Sequence, residues 1–152
     1  MRTECYQESF DFQTLGRREI VARFDGGAVS SDGGALLLRE TDRRLRLLER
    51  FAQCFRDYRT PELIEFTVQE LVSQRVMALA MGYEDLNDHD ELRVDPLFAV
   101  LAGRRDPSGT DRRREEDRGK ALAGKSTLNR LELSTPEAAP AERYKRITVE
   151  NE

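Results

Sequence analysis

Apolar and polar residues alternate with a period of two over Glu19–Phe24, which places Ile20, Ala22 and Phe24 on one face and predicts a β-strand. Asp25-Gly26-Gly27 follows as a tight-turn signal, and Ala28–Ser30 is the expected return strand of a small hairpin. The period then changes. From Gly33 to about Phe51, Leu37, Leu38, Leu45, Leu48 and Phe51 fall at helical spacing with arginines between them, the pattern of an amphipathic helix. Ser30, Ser31 and Asp32 offer N-cap oxygens. Glycine costs up to about 1 kcal/mol in a helix interior. With Gly33 and Gly34 at its start, either the helix begins after them or the backbone there passes close to another group.

Thr60-Pro61 marks a second helix start, and Ile64, Val68, Leu71, Val72, Val76 and Leu79 form its apolar stripe. Gly82 is a natural stop. Two long helices joined by a short loop predict an antiparallel helical hairpin. Asn87 or Asp88 can cap a short helix through Leu92, and Asp95-Pro96 opens another that carries Leu97, Phe98, Val100 and Leu101 and ends at Gly103. Ser126-Thr127 caps a helix through about Leu133, and Lys145–Val149 reads as a brief strand. The fold class expected is mainly α with a small N-terminal β-hairpin. The expected divisions are an irregular N-terminus (1–18), a hairpin plus helical domain (19–103), a basic charged linker (104–120), a short segment resembling a helix-turn-helix (121–134) and a Pro/Ala-containing end (135–152).

Composition narrows the class. With 152 residues, 38% apolar and 36% charged, the chain can bury a modest core. Apolar runs such as Ala35–Leu38 and Val76–Met81 fall far short of the roughly 20 residues of a membrane-spanning helix. The net charge of −4 is uneven: 104–130 holds nine Lys/Arg against five Asp/Glu, and 131–152 holds three against five. An acidic body with one basic segment suggests either a local anionic partner or a solvated linker. Cys5 and Cys54 form no CxxC pair, and no signal-peptide pattern opens the chain. One disulfide is possible, but reduced thiols in the cytoplasm are the better reading.

Several constellations could carry chemistry. Gly119–Ser126 matches the nucleotide-binding pattern GxxxxGK[ST], but the charged run Asp111–Arg118 before it is unlike the buried strand such a loop needs. Glu84, Asp85, Asp88, Asp90, Glu91 and Asp95 could bind a divalent cation, yet their spacing suits helix caps and turns better. His89, the one histidine, reads as a solvated or capping residue. The basic segment leads into a short capped helix, where Ser126 and Thr127 suit phosphate and Asn129 and Arg130 suit base edges.

Three stretches stand together in order: FDGGAVSSDGGALLLRETDRRL (24–45), LVSQRVMALAMGYEDLNDHDELRVDPLF (71–98) and DRGKALAGKSTLNRLEL (117–133). They closely resemble the N-terminal part of the insertion-sequence transposases of the transposase DDE domain group 1 family, over roughly residues 20–147. The resemblance implies DNA transposition: cutting and joining of transposon ends by three carboxylates that hold two Mg²⁺ ions in a ribonuclease-H-like fold. In the family the first catalytic Asp follows the region seen here, in a pattern like LDxDxTDD. The chain stops at Glu152 before such a motif, so the expectation is a truncated N-terminal region without the catalytic sheet, with no catalytic residue, metal ligand or cofactor of its own.

On this reading the partners are DNA at transposon ends and full-length transposase, and the protein is cytoplasmic and nucleoid-associated when bound to DNA. Lys125, Ser126, Thr127, Asn129 and Arg130, with Lys120, are the expected DNA contacts, and Arg112, Arg113 and Arg114 add contacts to phosphates. The alternatives are a nucleotide-binding protein using Gly119–Ser126, and a gene remnant without function.

Overall fold

The computed structural model describes residues 9–23, 31–134 and 146–149. Strand β1 (Ser9–Leu15) pairs antiparallel with β2 (Arg18–Arg23), in the register Phe10↔Ala22 and Phe12↔Ile20, with an irregularity between Phe12 and Leu15. Gly16 takes the left-handed conformation the tight turn requires, at φ +61°. Ile20 and Ala22 pack toward the core as the alternation predicts, together with Phe12. The partner of this strand therefore precedes it in sequence. Residues 9–15, expected to be irregular, form it, while Asp25–Gly27 and the expected return strand Ala28–Ser30 lie outside the described residues.

The first long helix divides. A single 3-10 turn (Ser31–Gly34) precedes α1 (Ala35–Leu45), and α2 (Leu47–Ala52) follows it. Between them Arg46 adopts φ +55°, and the Asp42 carboxylate accepts from the Leu48 N–H at 2.9 Å, which starts the new helix. The break changes the inward face. Ala35, Leu36, Arg39, Leu48 and Ala52 are buried, whereas Leu37, Leu38, Leu45 and Phe51, expected in the core, are exposed. The helix begins after Gly33 and Gly34, neither of which has a close neighbour, and no side chain caps it.

Thr60-Pro61 starts only a 3-10 turn (Pro61–Leu63). The helix proper, α3 (Val68–Ala80), starts seven residues later at a capping box: Thr67 Oγ1 accepts from Glu70 N at 3.2 Å, and Glu70 Oε2 accepts from Thr67 N at 2.8 Å. Thr67-x-x-Glu70 is a local signal that outcompetes Thr-Pro because it satisfies donors on both sides. The stop at Gly82 (φ +91°) agrees with the sequence. In place of a hairpin of two long helices, α3 is the central rod, packed by α2 and by α5 (Pro96–Leu101) and α6 (Lys125–Glu132). Strand β3 (Phe55–Asp57) pairs antiparallel with β4 (Ile147–Val149), within the strand expected at Lys145–Val149. Helix α4 (Asp88–Leu92) and α5 match their expected starts, with Asp95 Oδ1 accepting from Leu97 N at 2.7 Å. The described chain is thus helix-rich with two small antiparallel strand pairs. Among the described residues no helix is long and apolar enough to cross a membrane, and Cys54 is a free, exposed thiol; Cys5 lies outside them.

Residues 104–120, expected as a linker, are a packed loop. The Asp106 carboxylate accepts from Ser108 Oγ (2.5 Å) and Thr110 Oγ1 (2.6 Å) and from the backbone N–H groups of Ser108, Thr110 and Asp111. The hydroxyl donors above all, with the backbone donors, hold its carboxyl far below the usual range despite the opposing effect of burial. Gly109 (φ +68°) closes the loop, because a Cβ there would stand 2.6 Å from Ala121 N.

The core also holds a polar knot. Gln74, 1% exposed, donates from Nε2 to Ala123 O (2.8 Å) and accepts at Oε1 from Ala123 N (3.1 Å). Its Nε2 also lies 3.1 Å from His89 Nδ1, and Arg75 Nη1 lies 3.5 Å from the other ring nitrogen. His89 is fully buried, not a solvated or capping residue. Burial first, then the nearby Arg75 guanidinium, push its pKa below the ordinary 6.5. Because the folded value is depressed, His89 contributes stability that is complete above pH 6.5 and is lost as pH falls through the folded value. Being the one histidine, it should dominate the loss of stability between pH 6.5 and the carboxylate range. Urea unfolding at pH 7 and at about pH 5.5 should show a drop that His89→Gln abolishes; an equal drop in both proteins would refute this role.

Candidate nucleic-acid interface

Helix α6 owes its position to contacts made by residues before it. Ala121, Leu122 and Ala123 are buried, and Gln74 clamps Ala123. Gly124 is the N-cap, where a Cβ would meet Asp90 Oδ1 at 3.1 Å and Arg93 Nη1 at 3.3 Å. Ser126 and Thr127 therefore sit inside the first turn and do not cap it. Lys125 N–H donates to Asp90 Oδ1 at 3.2 Å, so this chain's own carboxylate sits at the helix start. Burial raises the Asp90 pKa, but the Lys125 hydrogen bonds outweigh it and the net shift is downward.

That geometry also decides against a nucleotide loop at Gly119–Ser126. A 3-10 turn (Glu115–Asp117) precedes it in place of a strand, and the Ala123 and Lys125 N–H groups are bonded to Gln74 and Asp90. The acidic run 84–95 serves caps and turns: Asp95 starts α5, Asp85 accepts from Asn87 N at 2.8 Å, and Asp90 holds Lys125. Among the described residues no group of three or more His, Cys, Asp or Glu could hold a metal ion.

The three consecutive arginines have different fates. Arg112 is buried. Its guanidinium donates to Lys120 O (2.7 Å) and Leu122 O (3.4 Å), contacts Glu65 at 3.3 Å, and lies 4.6 Å from the Phe66 ring centroid. Arg104 covers Phe66 in the same way, at 4.8 Å. Arg112 therefore holds the loop to the core and is not available to a phosphate. Partial burial raises the Glu65 pKa, but hydrogen bonds from Arg112 and the Arg113 N–H outweigh it and lower it overall. Arg113 and Arg114 are exposed.

Arg113 and Arg114 line a groove of about 470 Å³ together with Ser126, Thr127 and Arg130 of α6. Arg59, Arg93 and the buried Arg112 complete its basic lining, opposed by Glu65, Asp90 and Asp117. The lining thus holds six of the predicted contact residues, the buried Arg112 among them, and leaves out Lys120, Lys125 and Asn129. Lys120 turns back on its own loop, donating to Glu116 O at 2.8 Å. Lys125 points to α4, at 3.0 Å from Asn87 Oδ1 and 3.3 Å from Asp90 Oδ2. Asn129 lies outside the groove lining. Arg59 and Arg93 had no motif to mark them. Arg59 is placed by a fork onto Asp57 and a bond to Phe66 O, and Arg93 by Asp117 at 3.1 Å.

The groove is an arginine-rich recess beside a short helix on a helical scaffold. The sequence matches the family model described as transposase DDE domain group 1 over residues 12–150, and the chain belongs to that family. Neither the curated proteins nor the solved structures compared with it returned a match. The carboxylate site for magnesium that the sequence resemblance implies has no matching cluster among the described residues.

Proposed function

We propose that this chain serves DNA transposition by binding DNA at transposon ends through the groove between the 112–117 loop and α6. Arg113 and Arg114 engage the phosphate backbone, and Ser126, Thr127 and Arg130 face the duplex from one side of the helix. The observation that supports the reading is that the neighbouring 112–117 loop and α6, with Arg59 and Arg93 from more distant parts of the chain, line one groove with three acidic residues against six arginines. Cutting and joining are left to the family's carboxylate triad.

The test is fluorescence anisotropy with a transposon-end duplex and a scrambled one across a salt series. Affinity should fall with salt. The Arg113→Ala/Arg114→Ala double variant should weaken binding to both duplexes and reduce the log–log salt slope by about 2. Arg130→Ala should narrow the preference for the end sequence. Unchanged affinity and slope in the double variant would exclude this groove.

A further inference from the structure

A second recess, also about 470 Å³, lies between β1, α1, the start of α3 and the residues after α5, and shares no lining residue with the groove above. Arg39 lines it from α1. Its side chain is in the interior, the residue being 5% exposed, and its Nη1 has no hydrogen-bond partner among the described residues. A buried guanidinium nitrogen without an acceptor costs free energy, and an anion that meets it offsets that cost.

The acids lining the recess are already committed. Asp42 accepts from Leu48 N at 2.9 Å. Glu70 completes the Thr67 capping box and pairs with Arg104 at 3.0 Å, and Asp111 lies 3.4 Å from the same guanidinium. Glu40 attracts Arg39 through space and its own buried Oε2 also lacks a hydrogen-bond partner, but no bond joins the two side chains among the described residues. Of the other donors that line the space, Arg43 is bonded to Gln13 and Arg104 is paired with Glu70. Arg105 is exposed and has no partner among the described residues, and the buried Ser73 accepts from Gln69 Nε2 at 3.3 Å, leaving its own hydroxyl hydrogen to give.

We propose that this recess is a binding site for a phosphate-class oxyanion, held by Arg39 and Arg105 with Ser73 as a neutral donor. Two arginines match a doubly charged anion, and the guanidinium fork matches its oxygens. A free phosphate ion and the terminal phosphate of a DNA strand share this chemistry. The proposal stands apart from the DNA groove, and either can fail alone.

The experiment titrates the full chain calorimetrically with inorganic phosphate. A second arm compares a 5′-phosphorylated oligonucleotide with the same strand lacking that phosphate, at matched ionic strength. Saturable binding in either arm is expected, and the arm that shows it names the source. Arg39→Met should weaken it by at least about tenfold, as loss of a charge-assisted hydrogen bond does. Without phosphate this variant should melt at or above the wild-type temperature, because the buried nitrogen without an acceptor is gone. Arg105→Ala, at an exposed position, should also weaken binding and leave the phosphate-free melting temperature unchanged, so it decides the matter if Arg39→Met does not fold. No saturable binding in either arm, or binding unchanged in these variants, overturns the proposal.

Discussion

Gln74→Leu should destabilise the protein by about 2–5 kcal/mol, the sum of leaving two buried backbone groups and one imidazole nitrogen unsatisfied. The side chain makes both hydrogen bonds of Ala123 and the contact to His89 Nδ1, in a site closed to solvent. Leucine fills similar space but offers none of them. The consequence extends beyond stability. Ala123 immediately precedes the Gly124 cap of α6, so the helix that carries Ser126, Thr127 and Arg130 depends on this clamp for its position. Urea midpoints measure the first effect, and hydrogen exchange at the Ala123 amide measures the second. A cost below about 1 kcal/mol would mean that water replaces the clamp.

The second large effect separates neighbours in sequence. Arg112→Ala should cost about 3–5 kcal/mol, as for any buried ion pair that loses one partner. Glu65 keeps its charge, and the carbonyls of Lys120 and Leu122 lose their donor. Arg113→Ala and Arg114→Ala should stay within about 0.5 kcal/mol of wild type, since both side chains are exposed. DNA affinity should respond in the opposite way: at conditions where all variants are folded, the Arg112 variant binds more nearly like wild type than the Arg113/Arg114 pair does. Equal stability of all three single variants would refute the division.

Local signals were legible where a short stretch of chain completes them. Asp95-Pro96 starts α5, Gly82 and Gly103 end their helices, and the alternation around Ile20 and Ala22 gives a half-buried strand. Thr67-x-x-Glu70 was equally local, and Thr60-Pro61 drew attention from it. The helix break at Arg46 was harder to read, because leucines at 37, 38 and 45 hold the period up to that residue while their face is exposed. The family was legible too, since its motifs are contiguous blocks.

The site was legible in composition and not in geometry. A run such as Arg112-Arg113-Arg114 carries the same charge at each position, and sequence offers no way to tell a buried guanidinium from two solvated ones. That choice is made by Glu65, 47 residues away, and by the Phe66 ring. The burial of His89 likewise rests on Gln74, and the placement of α6 on a contact between Gln74 and Ala123, 49 residues apart. Caps, turns and periodicity are interactions within a few residues, so this chain's residue order settles several of its helix stops and starts and its family. Which charged side chains become core, which strand pairs with β2 and which arginines share a groove depend on desolvation by distant partners. Only the folded chain brings those partners together.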